Sequence, residues 1–449
     1  GVRSRAWVYR TFALFGRFFT FKTVRFTNGM EVTMADDTME EVMEFVEEND
    51  VKFIRLAFCD IFGNQKNISI MPEELRTAFT TGINFDSFLI LGYDDPVYQD
   101  LYLKPVPDTL NVLPWRPQQG RVIRFYCDVV LPDGSPYPYD SRKFLKDTLQ
   151  ECANMGFSCR MGLRSEFYLF KTDDEGRPTD IPWDEGGYLD IAPKDRGENI
   201  RREICLTLEE MGIQPESSHH ESGPGQNEID FRSSDALGTA DNYITYKNVV
   251  SAISNRNGVF ASFDPKPLKG KSGNGLHMKI STWKNGVNMD EIDPEFTEHF
   301  MAGVFHRMRD ITLFLNTQKQ SYERFGENEA PKYITWSAQN RSRLLRVPIV
   351  QGKRTCFVLR SPDSGINPYL AFAIVIQAGL AGVRGKEILP SPVDKSSRLV
   401  KDEEKASYDK LPLSLTEAVE CAKKSAFLQN SPCKDIANRF IEVIEQEAM

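Results

Sequence analysis

The spacing of apolar residues changes along the chain, and each spacing predicts an element. Met39, Val42, Met43 and Val46 recur at helical intervals, and the capping-box pattern Thr38-x-x-Glu41 places the start of that helix at Thr38. Residues 53–58 read as a strand ending at Cys59-Asp60; Gly63-Asn64 makes a turn, and 67–70 continues extended. Another strand covers 122–130 and is closed by the turn Pro132-Asp133-Gly134. These pieces outline a small N-terminal domain ending near residue 135. After Tyr139-Asp140-Ser141-Arg142 a helix is expected over about 142–155. Strands then follow at 164–170, 227–232, 259–263, 276–282, 334–337 and 356–360, with helices between them around 196–211, 241–256 and 293–314. Ser414-x-x-Glu417 caps a late helix. The alternation predicts an α+β chain whose larger part is one sheet with helices packed on one side.

Bulk properties narrow the picture. At 449 residues the chain exceeds what one hydrophobic core usually supports, so two domains are expected. A hydrophobic content of 41% beside 27% charged residues is that of a globular protein. The net charge of −9 argues against nucleic acid as a partner, because phosphate binding needs a concentrated basic face. Eight scattered cysteines without a CxxC pair indicate neither a zinc ribbon nor a disulfide framework, and a reducing cytoplasm fits them. The apolar run 369–383, broken by Gln377, is too short to span a bilayer and reads as a buried helix, so no membrane is expected. Residues 1–34 stand apart: Arg3, Arg5, Arg10, Arg17, Lys22 and Arg25 lie among aromatics with Glu31 the lone acid. They read as a basic extension outside the fold, or as a targeting arm. The domain expectation is therefore 1–34, 35–135 and 136–449.

Candidate chemistry concentrates in four clusters. On a strand through Arg164-Ser165-Glu166-Phe167-Tyr168, side-chain alternation puts Arg164, Glu166 and Tyr168 on one face. In His219-His220-Glu221-Ser222-Gly223-Pro224-Gly225-Gln226-Asn227-Glu228, a Gly/Pro loop lets two carboxylates turn towards one point. Three glutamates meeting in a cavity repel unless a divalent cation sits among them, and oxygen-only ligands favour Mg²⁺ or Mn²⁺. Each glutamate alone reads equally well as a solvated charge at a strand end. The third cluster is a glycine-rich loop, 265–275, leading to His277. The fourth gathers Arg324, Glu329, Arg341 and Arg360 from separate segments, and converging arginines suit a carboxylate or phosphate substrate.

Together these clusters resemble glutamine synthetase of the bacterial type I class. The resemblance runs from about residue 50 to about 395 and includes the 221–228 loop, the 265–277 segment, Glu329-Ala330-Pro331, the 336–342 run and Asn367-Pro368-Tyr369. It implies a β-grasp-like N-terminal domain, a large antiparallel-sheet catalytic domain, and a homo-oligomer of two stacked hexameric rings with sites between neighbours. It implies an ATP-dependent ligase that phosphorylates the γ-carboxylate of glutamate, or a related acid, and lets ammonia or another amine displace phosphate. By the same resemblance Asp60 would enter a neighbouring subunit's site and take a proton from ammonium. Glu166, Glu221 and Glu228 would hold the cation beside glutamate, and Gly273, Ser272 and Glu221 would line the acid's place. Arg324 and Arg360 would bind glutamate or the transferred phosphoryl group, Arg341 and Lys279 would stand at nucleotide-contacting positions, and Glu329 would close a flap.

The chain also departs from that family. The family's second, ATP-side metal is held by two glutamates and a histidine. His277 matches the histidine, but Arg164 and Val358 stand where the glutamates belong. Neither can ligate a cation at neutral pH, and the two changes add about three units of positive charge, near that of the ion they displace. Arg164 is therefore expected to occupy the second metal's place as a fixed cation. Ser272 replaces a glutamate-binding asparagine, Lys279 stands at a histidine position of some relatives, and 316–323 departs just before Arg324. Two readings follow: a working ATP-dependent ligase, open to an amine or acid other than ammonia and glutamate, with ordinary glutamine synthesis impaired by Arg164 and Val358; or a member of the family that keeps the fold for binding, regulation or structure.

Overall fold

The computed structural model describes residues 33–94, 96–328, 330–395 and 402–448. The 1–34 extension falls outside them except for its last two residues. Those two open a helix that runs Thr33–Glu48, so Thr38 lies inside the helix and not at its cap. No glycine or proline stands between Thr33 and Thr38 to delay the start.

One compact unit spans Val46–Met449. Its first part is a six-stranded sheet in the order Gln65–Ile70, Val51–Cys59, Arg121–Val130, Asp100–Pro105, Ile83–Asp86, with Asn111–Val112 added to Arg121–Val130. The two central strands are parallel. Ile54, Leu56, Leu101, Leu103, Ile123 and Phe125 are fully buried on alternate positions. Two of these strands, Ile83–Asp86 and Asp100–Pro105, escape the sequence pattern because they are short and half polar.

The second part is a ten-stranded sheet whose central order is Trp336–Ser337, Leu345–Arg346, Phe357–Leu359, Leu276–Lys284, Ser158–Thr172, Gln226–Asp235, Pro215–His220. All the neighbours in this path are antiparallel except the first two. Alternation sorts its faces: Leu163, Phe167, Leu169, Ile229, Phe231, Leu276, Met278, Ile280, Phe357 and Leu359 point into one core shared with the helices. The opposite face keeps Arg164, Glu166, Glu228, Asp230, His277 and Lys279. The helix Ser141–Asn154 is capped by Asp140, whose side chain accepts from Arg142 N. The apolar run lies in Pro368–Gly385, opened by Asn367 and Pro368. That helix is long and apolar enough to cross a membrane, but 78% of it is buried inside the fold, which makes it the core helix.

The helix expected over 293–314 is two, Pro294–His306 and Met308–Leu315. Arg307 leaves helical geometry between them while its guanidinium folds back onto Gly303 O (3.1 Å) and pairs with Glu387 (2.7 Å). The two parts of the unit are joined by buried hydrogen bonds. Arg124 Nη1 donates to Thr245 Oγ1 (2.8 Å) and Asn367 Nδ2 to Ile61 O (3.0 Å). At Gly63, φ is +81° and an added Cβ would lie 2.6 Å from Asn367 Cα, so this turn against the catalytic part requires glycine.

Candidate functional site

Strand register arranges the polar face in rows. His219, Glu228 and Glu166 lie side by side on three neighbouring strands. Two residues along, Asp230 pairs with Arg164 and Arg164 with His277. A further step places Gly162 opposite Lys279, Lys279 opposite Val358, and Val358 opposite Arg346. Rows on one face are about 7 Å apart, because two strand residues rise that far. The face therefore runs from acidic to basic within two steps.

Glu221, at the mouth of the Gly/Pro loop, completes the acidic end. Ligand atoms of His219, Glu221 and Glu228 lie within 4.8 Å of one another. His219 Nε2 is 3.2 Å from Glu221 Oε1 and 3.7 Å from Glu228 Oε1. Glu166 Oε2 accepts from Gly275 N (2.8 Å) and from Gln226 Nε2 (3.2 Å). Burial, and then the negative charge of Glu221, push the Glu166 carboxyl well above the usual range; burial and then Glu166 do the same to Glu228. The hydrogen bond to Glu221 holds His219 above the ordinary histidine value. Crowded, under-neutralised carboxylates of this kind suit a hard divalent cation, so Glu166, Glu221 and Glu228 fit Mg²⁺ or Mn²⁺. Sequence reasoning singled out these three and missed His219, which only the strand register brings beside them.

The glycine-rich loop abuts this cluster. An added Cβ at Gly273 would lie 2.4 Å from Pro265 O and 2.6 Å from Arg324 Cγ, so glycine is what lets Arg324 pass. Arg324 is buried, with Nη1 donating to Asn316 Oδ1 (3.3 Å), Nη2 to Pro362 O (3.2 Å), and Asp363 at 4.0 Å. Gln226 bridges Glu166 to Gly273 O (3.1 Å), a role the sequence did not reveal. Tyr168 donates its hydroxyl to Ser272 O (2.6 Å), so the backbone of Ser272 is held. A cleft of about 290 Å³ between the 221–225 and 270–273 loops is lined by Ser222, Gly223, Lys271, Ser272 and Asn328. It is small and polar, the size for a small acid rather than a large apolar ligand.

The basic end is built differently. Arg164 Nη2 pairs with Asp230 Oδ2 (2.9 Å), and Ser217 Oγ donates to the same oxygen (2.9 Å). His277 is half-buried; burial, and then the fields of Arg360, Arg164, Arg324 and Arg346, hold its imidazole well below the ordinary value and therefore neutral. Val358 is buried and apolar. A divalent cation beside His277 would meet one neutral nitrogen, an aliphatic wall and several guanidiniums. The residues present do not fit a second metal ion.

The remaining candidates divide. Arg360 is buried, and its guanidinium donates to Arg341 O. The Arg341 side chain itself is exposed, and Lys279 reaches Glu216 (3.4 Å). Asp60 stands in the N-terminal part, fully buried, accepting from Phe62 N (3.0 Å) and Asn64 N (2.9 Å) with Lys66 at 3.7 Å. None of its described partners belongs to the carboxylate cluster. Glu329 lies outside the described residues.

Comparisons with known proteins bear on this arrangement. Residues 50–132 match the family model of the glutamine synthetase β-grasp domain, and residues 138–449 that of the glutamine synthetase catalytic domain. The chain is 42% identical over 420 residues to a glutamine synthetase of Methanosarcina mazei, which covers 91% of this chain and 94% of that one. It is also 42% identical to a glutamine synthetase of Clostridium saccharobutylicum, with 87% and 90% covered. Among solved structures, a GmaS/ADP complex superposes with a TM-score of 0.82 at 26% identity, over 90% of this chain and 95% of the other.

Proposed function

The chain belongs to the glutamine synthetase family, and from that premise we propose that it is an ATP-dependent ligase joining ammonia or another amine to the γ-carboxylate of glutamate or a related acid. The observation that carries this reading is a sheet face on which Glu228 lies opposite Glu166, with the loop residue Glu221 gathered beside Glu228 and His219, next to Gly273 and Arg324, and with guanidiniums one row further on. Glu166, Glu221 and Glu228 would hold Mg²⁺ or Mn²⁺, which when bound supplies a Lewis acid next to the acid substrate.

The chain's own residues do the rest. The Gly273 loop and the held carbonyl of Ser272 orient the acid in the cleft. Its carboxylate oxygen attacks the terminal phosphorus of ATP, ADP leaves, and an acyl phosphate results. Arg324 and Arg360 stabilise the charge spread over the transferring phosphoryl group. The amine then attacks the acyl carbon and phosphate departs with the bonding pair. Asp60, supplied by a neighbouring copy, accepts the proton that the ammonium or amine must shed. Its carboxyl is raised by burial and lowered again by the Asn64 contacts, with a net rise that makes it a better proton acceptor. Assembly as two hexameric rings and a cytoplasmic location belong to the same proposal. The relatives named above lend no support to a catalytically silent member.

The test is phosphate release from ATP by the full chain with glutamate and ammonium, then with a panel of amines and acids. Release that depends on both an acid and an amine is expected. Absence of release with every pair would overturn the reading.

A further inference from the structure

The inference drawn here rests on the ligase reading and deepens its nucleotide half. We propose that the polyphosphate is gripped by a braced guanidinium clamp, Arg164 held by Asp230 together with Arg346 and Arg360, and that no second divalent cation is used.

Four observations support the clamp. First, Arg164 is built to stay where it is: it projects from the middle of Ser158–Thr172, between Asp230 on one neighbouring strand and His277 on the other, and its Nη2 is anchored at 2.9 Å. Ser217 Oγ fixes the anchoring oxygen from the next strand. A guanidinium tied at one edge presents its remaining N–H groups in a fixed fork, the geometry that matches phosphate oxygens.

Second, Arg164 Nε and Arg346 Nε are both buried and donate to nothing among the described residues. Asp230 Oδ1, on the carboxylate that anchors Arg164, is likewise unpartnered, so these groups leave hydrogen-bonding capacity on the face where Arg164 and Arg346 stand. Third, Arg346 reaches this face from Leu345–Arg346, opposite Val358, so the position that lost its carboxylate to valine is flanked by a cation. Fourth, after burial, the fields that hold the His277 imidazole neutral come from four guanidiniums, those of Arg360, Arg164, Arg324 and Arg346. Adding a doubly charged ion there is repulsive, whereas adding a polyphosphate neutralises the cluster. The acid-side cation site lies one row away, about 7 Å along the strands. That distance lets one phosphoryl group face the cation while the phosphates behind it lie on the clamp.

The experiment uses the full chain and two probes, Mn²⁺ alone and ADP. Mn²⁺ titration followed by electron paramagnetic resonance, without nucleotide, is expected to show one tight site per chain. ADP titration by calorimetry in excess EDTA is expected to show retained binding, weakened about tenfold by Arg164→Gln. If Arg164→Gln fails to fold by circular dichroism, Arg346→Gln reads the same clamp from the neighbouring strand and is expected to show a comparable loss. Two tight Mn²⁺ sites per chain would overturn the proposal. So would ADP binding that vanishes in EDTA, or that is indifferent to the folded variant. A chain that binds one Mn²⁺ and ADP as described, yet releases no phosphate with any acid and amine, would instead defeat the ligase reading and leave the clamp standing.

Discussion

The acidic and basic ends of the catalytic face are neighbours on the same strands, yet they treat positive charge in opposite ways. At the acidic end Glu166 and Glu228 are pushed up by burial and by neighbouring carboxylates, and Glu228 gathers with Glu221 and His219, an arrangement suited to a cation that comes and goes. One row on, Arg164 is part of the chain and is already paired with Asp230. Moving two residues along a strand is enough to change an exchangeable ion into a covalently attached one. An exchangeable ion can be removed, titrated and replaced, whereas a guanidinium at that place responds to none of these. The two ends should therefore differ sharply under mutation, chelation and pH.

The largest contrast is expected from removing one acidic ligand. Glu228→Gln should lower Mn²⁺ affinity by about 100-fold or more, read by electron paramagnetic resonance, while ADP binding in EDTA changes little. An equal loss in both measurements would break the distinction between the ends. Next in size is the conversion of the basic end into an acidic one. Arg164→Glu combined with Val358→Glu should raise the count of bound Mn²⁺ from one to two per chain, with ADP binding in EDTA falling at least about tenfold.

pH should separate the ends as well. In the metal-free chain burial pushes Glu166 and Glu228 up to about 8, against an ordinary 4.5 that applies once the chain unfolds. The folded form then binds more protons, so the stability these groups contribute is full below about 4.5 and is lost as pH rises towards 8. Since Mn²⁺ must displace those protons, its affinity should climb about tenfold per pH unit per proton between pH 6 and 7.5. Thermal melts with and without Mn²⁺ across this range should diverge as pH increases, and parallel curves would contradict the crowding. A smaller effect is expected of Gly273→Ala, whose methyl would collide with Arg324. KM for the acid should rise roughly tenfold with Mn²⁺ affinity nearly unchanged. Smallest is Ser272→Asn, expected to move that KM by only about two- to threefold, since the held group at Ser272 is its carbonyl and not its side chain.

The two ends were not equally legible in the sequence. Glu166, Glu221 and Glu228 could be found because they sit in a Gly/Pro loop and on strands whose alternation is plain. The Asp230 partner of Arg164 could not, since a cross-strand pair depends on which residue of Gln226–Asp235 faces which residue of Ser158–Thr172. His219 was hidden for the same reason. It lies on Pro215–His220, a strand of polar residues with no apolar alternation to announce it. Local signals served better where the physics is local: Ser414 caps its helix as expected. They failed at Thr38, where a capping pattern fell inside a longer helix, and at Arg307, where a side chain reaching Glu387 accompanies a break that periodicity passes over.

By itself the sequence determined most of the longer elements, the family, and which charged residues share a face of one strand, because side-chain period and motif order are properties of neighbours along the chain. It also fixed which ligand types stand at each end, since a valine and an arginine cannot become carboxylates in any fold. Only the tertiary structure decided that Arg164 is braced by Asp230, that Arg324 passes against Gly273, and that Arg346 joins the same face. Those are contacts between strands distant in sequence, set by register and close packing, and no local pattern encodes them.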